Sequence, residues 1–337
     1  MRALALAFFV LAVAGKPKAP AAPARPAPKV DVVVTAPSLT GEWSVKLTNS
    51  GTDPVRIVAD SRLLSFEITA PTGGAKVKCT LPSDMAPASD LERGLVLVSG
   101  RSYTERFDPR LHCFGERESA ALVAGATVAA RYGFGPAGAW DAAGSKAFIP
   151  LVATDAPTAP GPARWIDAAP VTLPPAATPA TAAPPAESSV DGVRFAVTTT
   201  PRLDVASSFE RQITVSVRNT GQLAVRSLFT PATVGFVLTS PDGSQSQCGA
   251  LTTPTPIPEL LTTLAPGGRT DVTVGFALCP SDSFRRSGLY KLEPRLDTRR
   301  LGTSTQPLYR GIAGGTPSLL RLHQGTLPRP APQIDPP

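Results

Sequence analysis

The residues best suited to chemistry in this sequence are its two histidines and four cysteines. A hydrolase triad needs a histidine between a nucleophile and a carboxylate, and His112 and His323 are the two available. His323 lies in a proline-rich segment near the C-terminus, which leaves His112 as the candidate base. The sequence has no G-x-S-x-G, H-E-x-x-H or phosphate-loop motif. We therefore predict no catalytic residues and no enzyme activity, and a hydrolase or hydrolase accessory domain is an alternative that depends on His112.

The four cysteines were considered first as a nucleophile and as a metal site. A cysteine nucleophile needs a free thiolate, and structural zinc sites usually contain closely spaced pairs such as C-x-x-C. No such pair occurs, and four cysteines can form two disulfides in three different ways. We predict neither a metal nor another cofactor, and expect the cysteines to form disulfides.

An internal duplication decides between the three pairings. Residues 45–51 match residues 215–221, and residues 66–73 match residues 236–243, both at an offset of 170. The cysteines match in the same order, Cys79 with Cys248 and Cys113 with Cys279, and the offset changes little. The pairing that gives each copy the same bridge joins Cys79 to Cys113 and Cys248 to Cys279.

The residues that surround these cysteines alternate between apolar and polar, as in strands with one buried face. The alternation is regular around Val45, Phe66, Val215 and Phe236, and Asn-x-Gly or Pro-x-Gly turns separate the runs. Further on, we aligned Tyr103, Glu105 and Phe107 with Val272, Val274 and Phe276. The sequence thus predicts an all-β protein made of two tandem Ig-like antiparallel β-sandwich domains.

The order of these motifs resembles a bacterial Ig-like domain of the intracellular proteinase inhibitor, or BsuPI, type. A strand ends in Asn-x-Gly at Asn49 and Asn219, a Phe strand precedes a Pro-x-Gly turn, and Pro266-Gly267 opens a later strand. The tryptophan usual after the Pro-x-Gly turn of that family is missing, and Cys79 and Cys248 lie nearby instead. The resemblance implies a secreted protease inhibitor as an alternative function.

Proline marks the predicted domain boundaries, because 38 of the 337 residues are proline and they cluster. Residues 16–29 hold 5 prolines, residues 156–190 hold 9 and residues 317–337 hold 6. Pro/Ala-rich linkers are extended and semi-rigid, so we expect a spacer between the two copies, pinned down by Trp165. The predicted segments are a signal peptide (1–14), a flexible arm (15–29), repeat 1 (30–155), a linker (156–190), repeat 2 (191–316) and a proline-rich tail (317–337).

The N-terminus is typical of a secretory signal peptide. Arg2 precedes a 12-residue apolar run, residues 3–14, which is too short to span a bilayer and ends in Ala-Val-Ala. No cysteine follows that run to carry a lipid, and no other segment could span a membrane. Together with the cysteines, these features predict a periplasmic or secreted protein with no transmembrane span in the mature chain.

The net charge of +7 does not indicate a nucleic-acid partner, because five of the basic residues lie in the first 30 and only 6 % of residues are aromatic. One basic patch was predicted near the last strands of repeat 2, formed by Arg285, Arg286, Arg299 and Arg300. We therefore expect an exported, non-enzymatic cell-envelope protein. Its predicted role is to bind another envelope or extracellular protein, or a glycan.

Overall fold

The protein is almost entirely β-structure and forms two β-sandwich units, as the alternating sequence predicts. A computed structural model describes residues 29–39, 41–85, 94–133, 148–150, 165–175, 192–206, 212–249, 253–305, 307–323 and 333–334. The predicted signal peptide and almost all of the predicted arm lie outside these residues. Within these residues, five short 3-10 helices interrupt the strands: Ser61–Leu63, Ser83–Met85, Pro109–Leu111, Pro258–Leu260 and Phe276–Leu278.

Repeat 1 contains eleven of the described strands and one short helix, α1, at Glu116–Ala120. Its sheets have the orders β1-β2-β7, β10-β8-β4-β5 with β11 also on β8, and β6-β3-β9. The strands are β1 Val30–Thr35, β2 Trp43–Asn49, β3 Val55–Val58, β4 Leu64–Thr69, β5 Val77–Cys79, β6 Gly94–Leu97, β7 Ser102–Phe107, β8 Thr127–Gly133, β9 Phe148–Pro150, β10 Trp165–Asp167 and β11 Val171–Thr172.

Repeat 2 reproduces this arrangement of sheets, with the orders β12-β14-β19, β13-β22-β20-β16-β17 with β21 on β20, and β15-β18. Its strands are β12 Phe195–Thr199, β13 Arg202–Val205, β14 Gln212–Asn219, β15 Val225–Leu228, β16 Val234–Thr239, β17 Gln245–Gly249, β18 Leu261–Leu264, β19 Arg269–Gly275, β20 Gly288–Asp297, β21 Ile312–Gly314 and β22 Ser318–Leu322. A last strand, β23 Gln333–Ile334, pairs with β7 of repeat 1.

The strand registers correct one part of the alignment between the repeats. Val45 faces Glu105 across β2 and β7, and the matching Val215 faces Val272 across β14 and β19. Glu105 therefore corresponds to Val272, and Phe107 to Val274 in the same way, rather than each to the residue two positions further on. Similar alternation along both strands concealed this shift, because a displacement by two leaves every side chain on its own face.

The segment 156–190 is not only a spacer, as the sequence had suggested. Its residues Trp165–Asp167 and Val171–Thr172 form β10 and β11, both paired with β8 of repeat 1. Ala168 and Leu173, from the same segment, are buried in the repeat 1 core. Repeat 1 therefore extends at least to residue 173, and the backbone of Trp165 is part of its sheet.

The predicted boundary of the tail at residue 317 was also wrong. Ser318–Leu322 form β22, which runs antiparallel to β20 and parallel to β13. Leu320 and Leu322 are fully buried in the repeat 2 core. The sequence of β22, Ser-Leu-Leu-Arg-Leu, has two adjacent leucines and a buried arginine, so it lacks the apolar–polar alternation that revealed the other strands.

One buried asparagine holds each sandwich together at the same place. Nδ2 of Asn49 donates to the carbonyls of Asp53 and Leu97 at 2.9 Å each, and its Oδ1 accepts from the Gly51 amide at 3.0 Å. Asn219 makes the same three bonds in repeat 2, to the carbonyls of Leu223 and Leu264 and the amide of Gly221. Each asparagine thus ties the turn after its own strand to a strand of another sheet.

In repeat 2 the glycine of this Asn-x-Gly motif is required for space rather than for an unusual backbone angle. Asn-x-Gly is typical of turns with a positive φ, but neither Gly51 nor Gly221 has one. A Cβ on Gly221 would lie 2.4 Å from the carbonyl oxygen of Gly192. The motif therefore marks a close approach of two backbone segments.

Two disulfides lie at equivalent places in the two sandwiches. Cys79 on β5 is bonded to Cys113, and Cys248 on β17 is bonded to Cys279, the pairs that the duplication predicted. Each closes a loop of similar length, with sequence separations of 34 and 31 residues. Within the described residues, no helix is long and apolar enough to cross a bilayer.

Candidate functional site

A cleft of about 740 Å³ opens between the two repeats, and we refer to it as the interdomain cleft. Repeat 1 contributes the 3-10 helices Ser61–Leu63 and Pro109–Leu111 and the end of β7. Repeat 2 contributes the turn between β16 and β17 and the start of β20. No sequence motif pointed to this cleft, because its walls come from segments more than 100 residues apart in the chain.

Charged side chains of both signs line the interdomain cleft in neighbouring pairs. On the repeat 1 side, Arg62 and Arg110 each place a guanidinium nitrogen 2.6 Å from a carboxylate oxygen, of Asp60 and Asp108 respectively. On the repeat 2 side, Arg286 is paired with Asp242. The hydrogen bond to Asp108 raises the pKa of Arg110 despite its partial burial.

These pairs form locally, because each acidic residue of repeat 1 lies two positions before its arginine. Asp60 accepts from the Arg62 amide at 3.0 Å and thereby caps a 3-10 helix, and Asp108 does the same for the Arg110 amide at 2.9 Å. The arginine side chain then folds back onto the capping carboxylate. The cleft therefore presents several preoriented ion pairs that can exchange partners with a charged or hydroxylated ligand.

Arg321 of β22 joins the two repeats beside this cleft. It is only 8 % exposed. Its Nε and Nη2 atoms lie 2.9 and 2.6 Å from the two carboxylate oxygens of Asp204, and its Nη1 donates to the carbonyl of Leu111 in repeat 1 at 3.1 Å. The guanidinium also lies 4.6 Å from the centre of the Phe114 ring. One side chain thus packs and hydrogen-bonds across the interface.

His323 makes a second connection between the repeats. Its Nδ1 lies 2.8 Å from Oδ2 of Asp84 in repeat 1, and its Nε2 lies 2.6 Å from Oδ1 of Asp204 in repeat 2. Burial disfavours the charged form of Asp204, but the hydrogen bonds from Arg321 and His323 outweigh it and lower the pKa of this carboxyl. The sequence predicted His323 to lie in a proline-rich tail, whereas it follows β22 directly and lies between two carboxylates.

Glu105 is a buried carboxylate on β7, next to the cleft. Its Oε2 accepts a 2.6 Å hydrogen bond from the Tyr103 hydroxyl and a 2.7 Å hydrogen bond from the Ser61 amide. The sequence contained a signal of this arrangement, because Glu105 occupies an inward position between Tyr103 and Phe107. A charged residue at an inward strand position requires such partners.

Tyr132 of β8 continues this buried polar cluster. Its hydroxyl donates to the Val58 carbonyl at 2.6 Å and accepts from the Asp60 amide at 2.9 Å. Burial raises the pKa of Tyr132 well above its ordinary value, so its hydroxyl stays protonated. We name the set Asp60, Ser61, Tyr103, Glu105 and Tyr132 the buried polar cluster.

His112, the histidine that could have served a hydrolase, is buried at 2 % exposure. Its ring packs edge-on against Phe66 and Phe107, with centroid distances of 5.2 and 6.0 Å. Neither ring nitrogen has a hydrogen-bond partner among the described residues. Burial, followed by the positive charge of Arg321, lowers the pKa of His112 to about 3. A buried, neutral imidazole whose ring nitrogens are hydrogen-bonded to no described residue does not have the geometry of a general base.

The four arginines of the predicted basic patch do not lie together. Arg285 and Arg286 precede β20, whereas Arg299 and Arg300 follow its end. A ten-residue strand separates them by roughly 30 Å. Arg286 borders the interdomain cleft, and Arg299 is paired with Asp297 at 2.7 Å at the far end of the strand. The sequence showed two pairs of arginines but not the length of the strand between them.

In the described part of the chain, no group of three or more His, Cys, Asp or Glu side chains could hold a metal ion. The loop that precedes β18 exposes Ile257 and Leu260, which are 49 % and 52 % exposed. The corresponding loop of repeat 1 lies largely outside the described residues.

Comparisons with known proteins give this chain no family. No family model matches the sequence, and no curated protein matches it. Among solved structures, a transglutaminase from red sea bream is similar at 14 % sequence identity and a TM-score of 0.21. The match covers 88 % of this chain and spans about a third, 31 %, of the transglutaminase. At that TM-score the similarity supports no conclusion about this chain.

Proposed function

We propose that this protein is an exported, non-enzymatic binding module of the cell envelope. In this proposal, the interdomain cleft holds a partner, which is another envelope or extracellular protein or a glycan. The observation that carries it is the cleft itself, about 740 Å³ in volume and lined from both repeats by oriented ion pairs. Such pairs recognise hydroxyl, amide and charged groups of a ligand through charge-assisted hydrogen bonds.

Export to the periplasm or the exterior is part of the proposal. Both disulfides and the predicted signal peptide support it, since disulfides persist in oxidising compartments. The contacts of Arg321 and His323 across the interface add a further argument. They hold the walls of the cleft in one arrangement, so a ligand need not order them when it binds.

Charge reversal on both walls of the cleft tests this role. The double variant Arg110→Glu/Arg286→Glu places two carboxylates next to Asp108 and Asp242 and should abolish partner binding. Arg299→Glu is the matched control, because it reverses an arginine that is also paired with an aspartate but lies outside the cleft lining. The measurement is retention of defined envelope proteins and of arrayed glycans on immobilised full-length chain.

The proposal requires that the wild type and Arg299→Glu retain the same partner and that the double variant loses it. Failure of the wild type to retain any envelope protein or glycan would contradict the proposal. Equal retention by the wild type, the control and the double variant would equally exclude the cleft as the binding site.

A protease inhibitor of the BsuPI-like type is the second candidate, and one loop favours it. Ile257 is 49 % exposed with φ −96° and ψ 123°, an extended conformation, and it lies within the loop that the Cys248–Cys279 bridge closes. An exposed, extended residue between constrained ends is suited to a protease's substrate groove. In a panel of secreted proteases, inhibition by the wild type that is lost in Ile257→Glu but kept in Leu223→Glu would support this function. Leu223 is a matched control, because it is 52 % exposed in a different loop.

A further inference from the structure

The ring of His323 lies between one aspartate from each repeat. Its Nδ1 is 2.8 Å from Oδ2 of Asp84 in repeat 1, and its Nε2 is 2.6 Å from Oδ1 of Asp204 in repeat 2. A neutral imidazole has one N–H group and one acceptor nitrogen, whereas an ionised carboxylate can only accept. Both contacts are therefore hydrogen bonds only when both ring nitrogens carry a proton. The geometry requires the imidazolium form of His323.

The charged groups that face this ring are compatible with that form. Among the described residues they are Asp84 on the 3-10 helix Ser83–Met85, Asp204 on β13 and Arg321 on β22. Two carboxylates and one guanidinium leave one negative charge, which an imidazolium neutralises. Burial disfavours the charged form of Asp204, but the hydrogen bonds from Arg321 and His323 lower the pKa of this carboxyl. Asp204 thus stays ionised over the pH range in which histidines titrate.

The two carboxylates differ in how firmly they are held. Asp204 also accepts two hydrogen bonds from Arg321, at 2.9 and 2.6 Å. The amide of His323 donates to the Val205 carbonyl at 3.0 Å, so the ring and the Asp204 carboxylate are both fixed to repeat 2. The side chain of Asp84 is 48 % exposed, and among the described residues its carboxylate is hydrogen-bonded to His323 alone.

This difference decides which contact breaks when the ring loses a proton. A ring nitrogen without its proton presents a lone pair to the carboxylate opposite, and that carboxylate must move away. Asp84 can turn into solvent, whereas Arg321 holds Asp204 in place. The remaining proton therefore stays on Nε2 of His323. The bond that is lost is the one between the repeats.

Asp84 is joined directly to the wall of the interdomain cleft. The next residue, Met85, is buried and lines the cleft. Its carbonyl accepts a hydrogen bond of 3.0 Å from Nη1 of Arg62, which forms one of the ion pairs of the cleft with Asp60. A movement of Asp84 away from His323 is thus passed through one residue to an arginine of the cleft.

We propose that His323 is a pH-sensitive latch between the two repeats and that it regulates the interdomain cleft. With both ring nitrogens protonated, it joins the 3-10 helix Ser83–Met85 of repeat 1 to β13 of repeat 2. As the pH rises, Nδ1 loses its proton, and this helix and its contact with Arg62 are released. The latch is closed in mildly acidic surroundings and open in alkaline ones, since histidine titrates near neutral pH. The bond from Arg321 to the Leu111 carbonyl does not titrate in this range, so the repeats remain joined while the wall moves.

Nitrogen-15 NMR of the full-length, disulfide-bonded chain tests the latch itself. The chain has two histidines, and the variant His323→Gln assigns their ring signals. Both ring nitrogens of His323 should be protonated at about pH 5.5, and only Nε2 at about pH 9. His112 is an internal control, because its pKa of about 3 keeps its ring neutral at both pH values.

Hydrogen exchange of the segment Ser83–Met85 measures the release of the wall. After correction for the intrinsic pH dependence of exchange, protection of this segment in the wild type should be about tenfold lower at the higher pH, as expected for the loss of one hydrogen bond to a charged group. Asp84→Ala should show the lower protection at both pH values, because its latch cannot close. Asp167→Ala is the matched control and should behave as the wild type, since Asp167 is an exposed aspartate of repeat 1 that is paired with Arg131.

Three outcomes would overturn the proposal. The first is a His323 ring with the same number of protons at both pH values. The second is a neutral ring that keeps its proton on Nδ1, because the bond to Asp84 would then survive. The third is protection of Ser83–Met85 that does not change with pH in the wild type, or that changes as much in Asp84→Ala.

This inference rests on the proposed function only in taking the interdomain cleft as the binding surface that is regulated. Neither measurement requires a partner. Failure of the latch and failure to find a ligand of the cleft are therefore separate results.

Discussion

The two repeats share a frame, by which we mean the buried asparagine and the disulfide, but they differ in other residues of their interiors. Asn49 and Asn219 make the same three hydrogen bonds, and the two disulfides join equivalent strands and loops. The described positions of repeat 2 that match the strand residues of the buried polar cluster carry other residues. By strand register, Tyr103, Glu105 and Tyr132 correspond to Thr270, Val272 and Leu296, two of which are fully buried apolar residues or nearly so.

This difference distinguishes the residues that stabilise each sandwich from the residues that support the surface of the cleft. The frame residues occur in both repeats, so the fold itself requires them. The buried polar cluster borders the interdomain cleft through Asp60, Ser61 and Glu105, whereas repeat 2 meets that cleft with a turn and the start of a strand. Repeat 2 folds without a buried carboxylate at the position of Glu105. The cluster is thus an addition to repeat 1 at the side where the cleft forms.

The largest expected effect comes from placing the carboxylate of repeat 1 into repeat 2. Val272→Glu should destabilise repeat 2 by about 3–5 kcal/mol, because no hydroxyl or amide partner is positioned there for the buried charge. Thr273→Glu, on the exposed face of the same strand, is the control and should cost no more than about 0.5 kcal/mol. Urea unfolding followed by far-UV circular dichroism measures both. A Val272→Glu chain as stable as the control would show that the interior of repeat 2 accepts the same cluster.

A smaller loss of stability, equal in the two repeats, is expected when either of the shared asparagines is replaced. Asn49→Ala and Asn219→Ala each remove the partners of two carbonyls and one amide, which should cost about 2–3 kcal/mol in the affected repeat. All three tryptophans lie in the first 165 residues, so tryptophan fluorescence follows repeat 1 while circular dichroism follows both repeats. Asn49→Ala should shift the fluorescence transition in urea, and Asn219→Ala should leave it in place. Costs that differ by more than about 1 kcal/mol would show that the frames are not equivalent.

The smallest effect depends on pH and distinguishes His112 from its counterpart Leu278. The pKa of His112 falls from 6.5 to about 3 on folding, so between these values the unfolded chain binds a proton that the folded chain does not. The stability of repeat 1 should therefore decrease as the pH falls below 6.5, by about 2 kcal/mol between pH 7 and pH 5.

His112→Leu should remove this part of the pH dependence, measured by urea unfolding under tryptophan fluorescence from pH 7 to pH 5. The matched control is Leu278→His, which places an imidazole at the equivalent and 42 % exposed position of repeat 2. Its unfolding is followed by far-UV circular dichroism, because tryptophan fluorescence reports repeat 1. An exposed imidazole titrates similarly in both states and should add no slope. An unchanged slope in His112→Leu would assign the pH dependence to other groups.

Much of the fold could be predicted from local regularities. Alternation with period two identified β2, β4, β14 and β16, and the duplication identified the cysteine pairs. Both signals concern one-sided burial or repetition, which a single sequence displays directly. The strands at Trp165–Asp167 and Ser318–Leu322 were missed. The first is three residues long among prolines and alanines, and in the second the adjacent Leu319 and Leu320 and the buried Arg321 interrupt the alternation.

The candidate site was far less predictable, for a physical reason. The interdomain cleft depends on which segments meet across the interface, and β22 reaches its place by pairing antiparallel with β20 and parallel with β13. Nothing in the sequence around Arg321 or His323 indicated that Arg321 contacts Leu111 or that His323 contacts Asp84. Glu105 alone was visible in advance, as a charge at an inward position.

The position of β22 has a consequence for the order in which the chain matures. A polypeptide emerges N-terminus first, from the ribosome or across a membrane, and the described strands of repeat 1's own segment end at Thr172. Repeat 2 encloses Leu320 and Leu322 in its core, so its interior cannot close until residue 322 has emerged. The first sandwich can thus form and oxidise while the second is still incomplete. The interdomain cleft, whose repeat 2 wall includes Leu319 of β22, forms only after that strand has joined its sheet.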